Sequence, residues 1–186
     1  MVMVYVDLEK AYDRVDREML WQVLESYGVG VRLGRAVRSQ YERCQACVRV
    51  LGQNSDWFGV EQGVRQGCVM SPWLFNLYMD NIVREARQKF VGGVQMEETV
   101  VQLLLFADDL MLVAENDEDV ERNLRVLDEV MGKWKMRINW RKTKVLTVKR
   151  GGVTCDISVK GEKIEEVKSI NTLEHCSMKK GYAKKR

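Results

Sequence analysis

Several residue types that mark particular protein classes are scarce in this chain. It contains one proline and no stretch rich in serine and glycine, so no internal linker is evident before about residue 150. No apolar run approaches the roughly 20 residues that a membrane-spanning helix needs. The first residues, MVMVYVDLEKAYD, lack the basic region and the small-residue cleavage site of a signal peptide. We therefore expect one compact, intracellular unit, without membrane association, followed by a looser C-terminal segment.

Histidine and paired cysteines are also scarce. The sequence has one histidine, His175, and its five cysteines include one C-x-x-C pair, Cys44 and Cys47. A zinc ribbon needs a second such pair. We therefore do not expect a zinc site, and we predict free thiols.

The residues that are present describe an ordinary globular chain with an uneven distribution of charge. Of the 186 residues, 46% are hydrophobic, which excludes a disordered or fibrous protein. The net charge is only +3, but residues 133–150 carry eight Lys and Arg without an acid, and residues 179–186 carry five more. Such stretches suit a phosphate backbone, and the alternative is a solvated face or tail.

Apolar periodicity predicts alternating helices and strands. The predicted elements are a buried strand over 1–6, helices over 15–28, 31–43, 71–89 and from Asn116 or Asp117 to Trp134, a hairpin of 46–51 with 57–60, two strands around 108–109, and a strand over 145–148. Asp13 or Asp16 is the expected cap of the first helix. This order favours an α+β fold with helices packed on one face of an antiparallel sheet. A glycine-rich phosphate loop is absent from the sequence.

The segment LLLFADDLMLVA at 103–114 places Asp108 and Asp109 in the middle of ten apolar residues. Burial of an ionised carboxylate is costly unless the group is paired or binds a metal. The alternative is a hairpin turn, although two-residue turns favour glycine after Asn or Asp and Leu110 follows here. Both interpretations hold if the tip of a hairpin presents acids to a metal.

A second acid, Asp7, ends the first predicted strand. If that strand pairs with the 103–114 hairpin, Asp7 and Asp108 lie at the same end of the sheet. Two carboxylates in that arrangement suit a two-metal site, in which Mg²⁺ ions about 3.5–4 Å apart contact an attacking 3′-hydroxyl and a leaving pyrophosphate. Because neighbouring side chains of a strand face opposite ways, we predict Asp108 as the metal ligand and a secondary catalytic role for Asp109.

Three segments together resemble a known family. VYVDLEKAYDRVD at 4–16, GVRQGCVMSPWLFNLYMD at 63–80 and LLLFADDL at 103–110 closely resemble motifs A, B and C of the reverse transcriptases of non-long-terminal-repeat (LINE-type) retrotransposons. KTK at 142–144 resembles motif D, and the resemblance covers roughly residues 2–150. It implies a polymerase palm fold and RNA-directed DNA synthesis, with an RNA template, a DNA primer, deoxynucleoside triphosphates and location in the nucleus. Other palm enzymes, RNA-copying RNA polymerases or nucleotide cyclases, would explain the acids but not RQG followed by SPWLFN.

The resemblance implies roles for individual residues near the reacting phosphates. Asp7 and Asp108 would bind two Mg²⁺ ions, with Mn²⁺ as a substitute, and the backbone carbonyl of Leu8 would assist. Tyr12 matches the aromatic steric gate that excludes a ribose 2′-hydroxyl, whereas a core aromatic is the alternative.

Further roles concern the template, the nucleotide and the primer. Arg65, Gln66 and Gly67 match the loop that contacts the nascent base pair, and a glycine turn before a helix is the alternative. Phe106 matches the residue that supports the primer terminus, and a core phenylalanine is the alternative. Lys142 or Lys144 resembles the motif D lysine that acts on the leaving pyrophosphate.

The sequence also departs from the family pattern. Six residues precede Asp7, so we expect the fingers region to be missing from this sequence, and likewise an endonuclease domain and a full thumb. Motif E usually carries an aromatic-Leu-Gly turn, but Thr172, Leu173 and Glu174 stand there. We therefore assign 1–150 to a palm domain and 151–186 to a degenerate motif E with a basic extension. The alternative function is an inactive mobile-element remnant that retains nucleic-acid binding or only the fold.

Overall fold

The computed structural model describes residues 1–148 and 157–167, and the backbone of 169–172 and 176–179. The helices in this part of the chain are α1 (Ala11–Arg14), α2 (Arg17–Ser26), α3 (Val31–Ser39), α4 (Ser71–Arg87) and α5 (Asp117–Lys133). The strands are β1 (Val2–Val6), β2 (Gln45–Ala46), β3 (Arg49–Val50), β4 (Gln53–Asn54), β5 (Phe58–Gly59), β6 (Val94–Met96), β7 (Thr99–Val101), β8 (Leu103–Phe106), β9 (Asp109–Ala114), β10 (Lys144–Thr147), β11 (Ser158–Val159), β12 (Glu162–Lys163), β13 (Glu165–Glu166), β14 (Ser169–Thr172) and β15 (Cys176–Lys179). Within these residues no helix combines the length and apolar character needed to cross a membrane.

The chain divides into two compact units. One consists of Met1–Ala11 and Ile82–Arg186, and the other is Tyr12–Asn81. The first unit contains a five-stranded sheet with the strand order β13-β10-β1-β9-β8. Strand β1 is central and pairs antiparallel with β9 and β10, whereas β13 pairs parallel with β10 at the edge. The predicted α+β class with a mainly antiparallel sheet is therefore confirmed.

The two faces of this sheet carry different side chains because neighbours on a strand alternate. Five residues of one face are fully buried: Val2, Val4, Val6, Leu110 and Leu112. The other face holds a second apolar cluster built around Met3, Met111, Val113 and Leu146, with Tyr5 packed against it. Helix α5 lies against β1 and β9, and five of its apolar side chains are completely buried, namely Val120, Leu124, Leu127, Val130 and Met131. A helix on one face of the sheet agrees with the prediction.

Helix α5 has a capped start. The side chain of Asn116 accepts a hydrogen bond from the Asp119 amide, which identifies Asn116 as the N-cap rather than Asp117. The buried amide of Asn123 binds both the N–H and the carbonyl of Val91, each at 2.9 Å. These bonds satisfy backbone groups of the segment that follows α4.

The second unit contains the two predicted helices as α2 and α3, although α3 ends at Ser39 instead of Arg43, and it corrects the predicted hairpin. Asp16, not Asp13, caps α2 by accepting from the Met19 amide at 2.9 Å. The predicted strands 46–51 and 57–60 are instead two short pairs, β2 with β5 and β3 with β4. Between the two ladders, the Val48 amide donates to the side-chain hydroxyl of Ser55, and the Val48 carbonyl accepts from the Ser55 amide.

An additional hairpin, β6 with β7, precedes the acidic segment and was not predicted. Its strands have only three residues, too short for a clear alternation, and its turn contains Glu97 at a positive φ of 52° instead of a glycine. The turn therefore had no sequence signal of the usual kind.

Candidate functional site

The acidic pair lies at a hairpin tip. Strands β8 and β9 pair from Leu103 with Leu112 to Phe106 with Asp109, which leaves Ala107 and Asp108 as a two-residue turn. Ala107 has the positive φ, 53°, one residue before the acids. Asp108 is exposed within the turn, and Asp109 is half-buried as the first residue of β9. The turn interpretation and the functional interpretation are thus compatible, as the sequence allowed.

The structure brings Asp7 to the same end of the sheet as this turn. Strands β1 and β9 pair as far as Val6 with Leu110, and one further step along that register places Asp7 opposite Asp109. Asp108 lies next to that position in the turn. Three carboxylates from two distant segments therefore gather where β1 ends, including the pair that the sequence predicted to meet.

The electrostatics of Asp7 reflect this crowding. Its pKa lies above the ordinary value, mainly because burial disfavours the charged form. The Lys142 charge and a hydrogen bond from the Asn139 side chain act in the opposite direction, and the negative charges of Asp108 and Asp109 raise the pKa further. The site thus has excess negative charge that Lys142 offsets only in part.

Tyr5 joins the same cluster, and the sequence reasoning missed it. Its hydroxyl donates a hydrogen bond to the carboxylate of Asp109. Burial, this hydrogen bond, and the charges of Asp109, Asp7 and Asp108 all raise the pKa of the phenol, so it stays protonated as a donor. The available signal was the alternation of β1, which puts Tyr5 and Asp7 on the same side of the strand.

The donor chemistry fits a divalent magnesium-type cation. Such ions prefer carboxylate and carbonyl oxygens, which Asp7, Asp108 and the Leu8 backbone can supply. Leu8 forms an isolated bridge with Ile138, and the two hydrogen bonds of that bridge use the Asp7 carbonyl and the Glu9 amide. In the described part of the chain no group of three or more His, Cys, Asp and Glu side chains forms a chelating cluster.

The two candidate lysines of motif D occupy different environments. The charge of Lys142 acts on Asp7, whereas the ammonium of Lys144 pairs with Glu165 at 2.6 Å and donates to the Arg141 carbonyl. Lys142 is therefore the better candidate of the two. Phe106 is 64% exposed, so it is not a core phenylalanine.

The residues predicted to contact the nucleotide lie together in the second unit. Tyr12 stacks on Phe75 with ring centroids 4.4 Å apart. The amide of Gly63 donates to the Val15 carbonyl at 2.8 Å and the amide of Val64 to that of Tyr12 at 2.9 Å, which joins the start of the 63–67 loop to the Tyr12 segment.

Side chains complete this connection. Gln66 donates to the Asp13 carboxylate at 3.1 Å, and Gly67 has a positive φ of 79°. Arg65 donates to the Gln40 carbonyl at 2.7 Å and to the sulfur of Cys44 at 3.1 Å. The 65–67 segment is thus a glycine turn before α4, which was the alternative interpretation from the sequence. Its hydrogen bonds also hold it beside the Tyr12 segment.

Arg17 is a further residue that the sequence reasoning missed. Its guanidinium donates to four backbone carbonyls, those of Tyr41, Val60, Gln62 and Gly63, at 2.7–3.3 Å. It also lies over the Tyr41 ring, 5.0 Å from the centroid. No sequence pattern distinguished Arg17 from the other surface arginines, because its partners are backbone atoms distant in sequence.

Cys44, Cys47 and Cys68 carry free thiols, as predicted. Leu173 and Glu174 of the altered motif E, and the tail at 180–186, lie outside the described residues.

Comparison with known proteins gives a consistent result. The family model of "Reverse transcriptase (RNA-dependent DNA polymerase)" matches residues 1–175. The transposon TX1 uncharacterized 149 kDa protein of Xenopus laevis is 31% identical over 139 residues, which are 74% of this chain and 11% of that protein. The Pol polyprotein of the type-1 retrotransposable element R2 of Nasonia vitripennis is 27% identical over 158 residues, 85% of this chain and 15% of that protein. The chain thus spans less than a fifth of these two relatives.

Solved structures show the same fold. Telomerase from Candida albicans superposes with a TM-score of 0.63 at 15% identity, over 88% of this chain and 29% of that one. Apo telomerase from Candida tropicalis, truncated from its C-terminal domain, gives a TM-score of 0.61 at 20% identity, over 96% and 35% of the two chains. At these identities the likeness concerns the fold alone.

Proposed function

Because the chain belongs to the reverse transcriptase family, we propose that it is the palm region of a retrotransposon RNA-directed DNA polymerase. The reaction joins the 3′-hydroxyl of a DNA primer to the α-phosphate of a deoxynucleoside triphosphate and releases pyrophosphate. In this proposal, residues 1–150 are the palm and residues 151–186 are an extension with an altered motif E. The proposal also includes the RNA template, the DNA primer and location in the nucleus.

One observation carries this proposal: Asp7, which follows β1, and Asp108, in the turn between β8 and β9, lie at the same end of the sheet although they are about a hundred residues apart in sequence. Asp7, Asp108 and the Leu8 carbonyl are the groups that would hold two Mg²⁺ ions, with Mn²⁺ as a substitute. When bound, such ions lower the barrier by stabilising the charge on the attacking and leaving oxygens. Asp109 supports the site as the carboxylate bound by Tyr5.

The remaining residues bind and orient the substrates. Lys142, whose charge already acts on Asp7, neutralises or protonates the leaving pyrophosphate. Phe106, exposed at the end of β8, offers an apolar surface to the primer terminus. Lys144 contributes less, because Glu165 already occupies its ammonium group.

The second unit selects the nucleotide and contacts the template. Tyr12, supported by Phe75, excludes the 2′-hydroxyl of a ribonucleotide. Arg65, Gln66 and Gly67 contact the nascent base pair, where Gly67 leaves room for close approach because no atom lies within 4 Å of a Cβ placed there.

Extension of a labelled primer on an RNA template with Mg²⁺ tests the function. The wild-type chain should extend the primer, whereas Asp7→Asn and Asp108→Asn should reduce extension at least about a hundredfold, as expected when a metal ligand loses its charge. Asp56→Asn, an exposed acid of the other unit, is the matched control and should behave as wild type.

Binding of the template–primer duplex, measured in parallel, separates the alternatives. Binding without extension by the wild-type chain would contradict the polymerase proposal and support the remnant that retains nucleic-acid binding. If the wild-type chain neither binds the duplex nor extends the primer, it retains only the fold of the family.

A further inference from the structure

The backbone of Asp7 lies just beyond the sheet ladder. The pairing of β1 ends at Tyr5 with Lys144 on one side and at Val6 with Leu110 on the other. The amide and carbonyl of Asp7 therefore need partners other than strands, since buried backbone groups are nearly always hydrogen-bonded.

Those partners come from one short segment, residues 139–143, which we call the Asp7 clamp. The Asn139 amide donates to the Asp7 carbonyl at 2.8 Å. The Asp7 amide donates to the Thr143 hydroxyl oxygen over a longer distance, 3.4 Å. The Asn139 side chain also hydrogen-bonds the Asp7 carboxylate. Backbone and side chain of the same aspartate are thus held by two residues of the clamp.

The clamp is itself fixed by internal hydrogen bonds. The Asn139 carbonyl accepts from the Thr143 hydroxyl and from the Thr143 amide, each at 2.9 Å, and from the Lys142 amide at 3.1 Å. Thr143 has no exposed surface. The hydroxyl of Thr143 therefore links Asn139 to Asp7, and its loss would release both ends of the link.

We propose that Asn139 and Thr143 are positioning residues that orient Asp7 for a divalent cation. This inference rests on the proposed function, because it concerns the same metal site. Groups that orient a metal ligand commonly change metal affinity by about 10- to 100-fold when they are removed. The clamp thereby couples the segment that carries Lys142 to the segment that carries Asp7.

The test is a titration of the full chain with Mn²⁺ in the absence of nucleic acid. The paramagnetic resonance signal of free Mn²⁺ decreases as the ion binds, so it measures the affinity. Thr143→Val, which keeps the volume and removes the hydroxyl, should weaken Mn²⁺ binding about tenfold or more. Thr143→Ser, which keeps the hydroxyl, should bind Mn²⁺ as wild type does. Asn139→Ala should weaken Mn²⁺ binding to a similar extent. This second variant provides the test if Thr143→Val fails to fold.

The matched control is Thr147→Val on strand β10. Thr147 is equally buried, and its hydroxyl donates to Glu166 at 2.7 Å instead of to the clamp. It should bind Mn²⁺ within about twofold of wild type, in line with the small effect of distant substitutions.

The possible failures are distinguishable. If Asp7→Asn loses Mn²⁺ binding while Thr143→Val and Asn139→Ala bind as wild type, the positioning role is wrong and the proposed metal site stands. If Asp7→Asn binds Mn²⁺ as well as wild type does, the metal site itself is wrong, and the positioning role fails with it.

Discussion

The hydroxyl of Tyr5 on β1 donates to the carboxylate of Asp109 on β9, across the two strands that deliver the acidic cluster. A second tyrosine–aspartate pair, Tyr27 with Asp80, lies on the exposed surface of the other unit. The two pairs have the same chemistry, so the Tyr27 pair is a natural comparison for the pair that joins the acidic cluster.

Tyr5→Phe should weaken catalysis through the orientation of Asp109. The substitution keeps the ring and removes the hydrogen bond, so we expect primer extension to fall about tenfold, the effect typical of a group that orients a site carboxylate. The rate of single-nucleotide addition at saturating Mg²⁺ measures the effect. The expected loss of stability is only about 1 kcal/mol.

Tyr27→Phe is the control for this substitution, and it should extend primers at the wild-type rate. Equal rates for Tyr5→Phe and wild type would mean that the orientation of Asp109 does not matter for the reaction.

The sequence predicted the backbone of the site better than its side-chain contacts. The meeting of Asp7 and Asp108 followed from two apolar strands that each deliver an acid, because burial fixes which strands are central. The Asp7 clamp at 139–143 was not predicted, because a loop without periodicity makes bonds that depend on tertiary position. The hairpin turn at the acids was one of the predicted alternatives, but the positive φ of Ala107 was not, since a left-handed alanine has no sequence signature.

The ends of a helix were also harder to predict than its presence. The second predicted helix began at Val31 as expected but ends at Ser39, four residues before the predicted Arg43. Only Val37 of this helix is buried, so burial does little to fix its limits, and its end depends on local hydrogen bonds of the Gln40 region.

Tyr12→Val should relax the selection of deoxynucleotides. Removal of the ring that stacks on Phe75 opens space beside the incoming sugar, so we expect the preference for deoxynucleotides over ribonucleotides to fall about tenfold or more. Competition between dATP and ATP in single-nucleotide addition measures this ratio. Tyr12→Phe keeps the ring and should retain the wild-type preference. If the Tyr12→Val variant still rejects ribonucleotides, the proposed role of Tyr12 as a steric gate is wrong.

Gly63→Ala should destabilise the chain more than Gly67→Ala. Both glycines have a positive φ, 81° and 79°, so each alanine costs about 1 kcal/mol in backbone strain. A Cβ at Gly63 would also lie 2.9 Å from the Asp13 backbone, whereas a Cβ at Gly67 meets no atom within 4 Å. We expect an additional cost of about 1–3 kcal/mol for Gly63→Ala.

Urea unfolding of the two glycine variants measures this difference. Equal midpoints would show that the Gly63 contact relaxes without cost. Because Gly67→Ala retains most of the stability, its effect on the KM for the nucleotide reports the role of the loop itself.

Glu85→Gln should produce a loss of stability that depends on pH. The Glu85 carboxylate accepts from the Trp134 indole at 2.9 Å and from Lys133 at 3.1 Å, and these bonds hold its pKa below the ordinary value of 4.5. A carboxyl whose pKa is lowered by folding stabilises the protein above the unfolded-state pKa, and this contribution is lost as pH falls through the folded-state pKa.

We therefore expect Glu85→Gln to cost at most about 1 kcal/mol near pH 7, because solvent screens this partly exposed group, and we expect the cost to shrink as the pH falls from 4.5 through the lower folded-state pKa. Urea unfolding at a series of pH values measures the difference. Glu98→Gln, which changes an exposed carboxyl in the turn between β6 and β7, is the control and should follow the wild-type curve throughout. If the difference for Glu85→Gln is constant across this range, the bonds to Trp134 and Lys133 do not depend on the carboxylate charge.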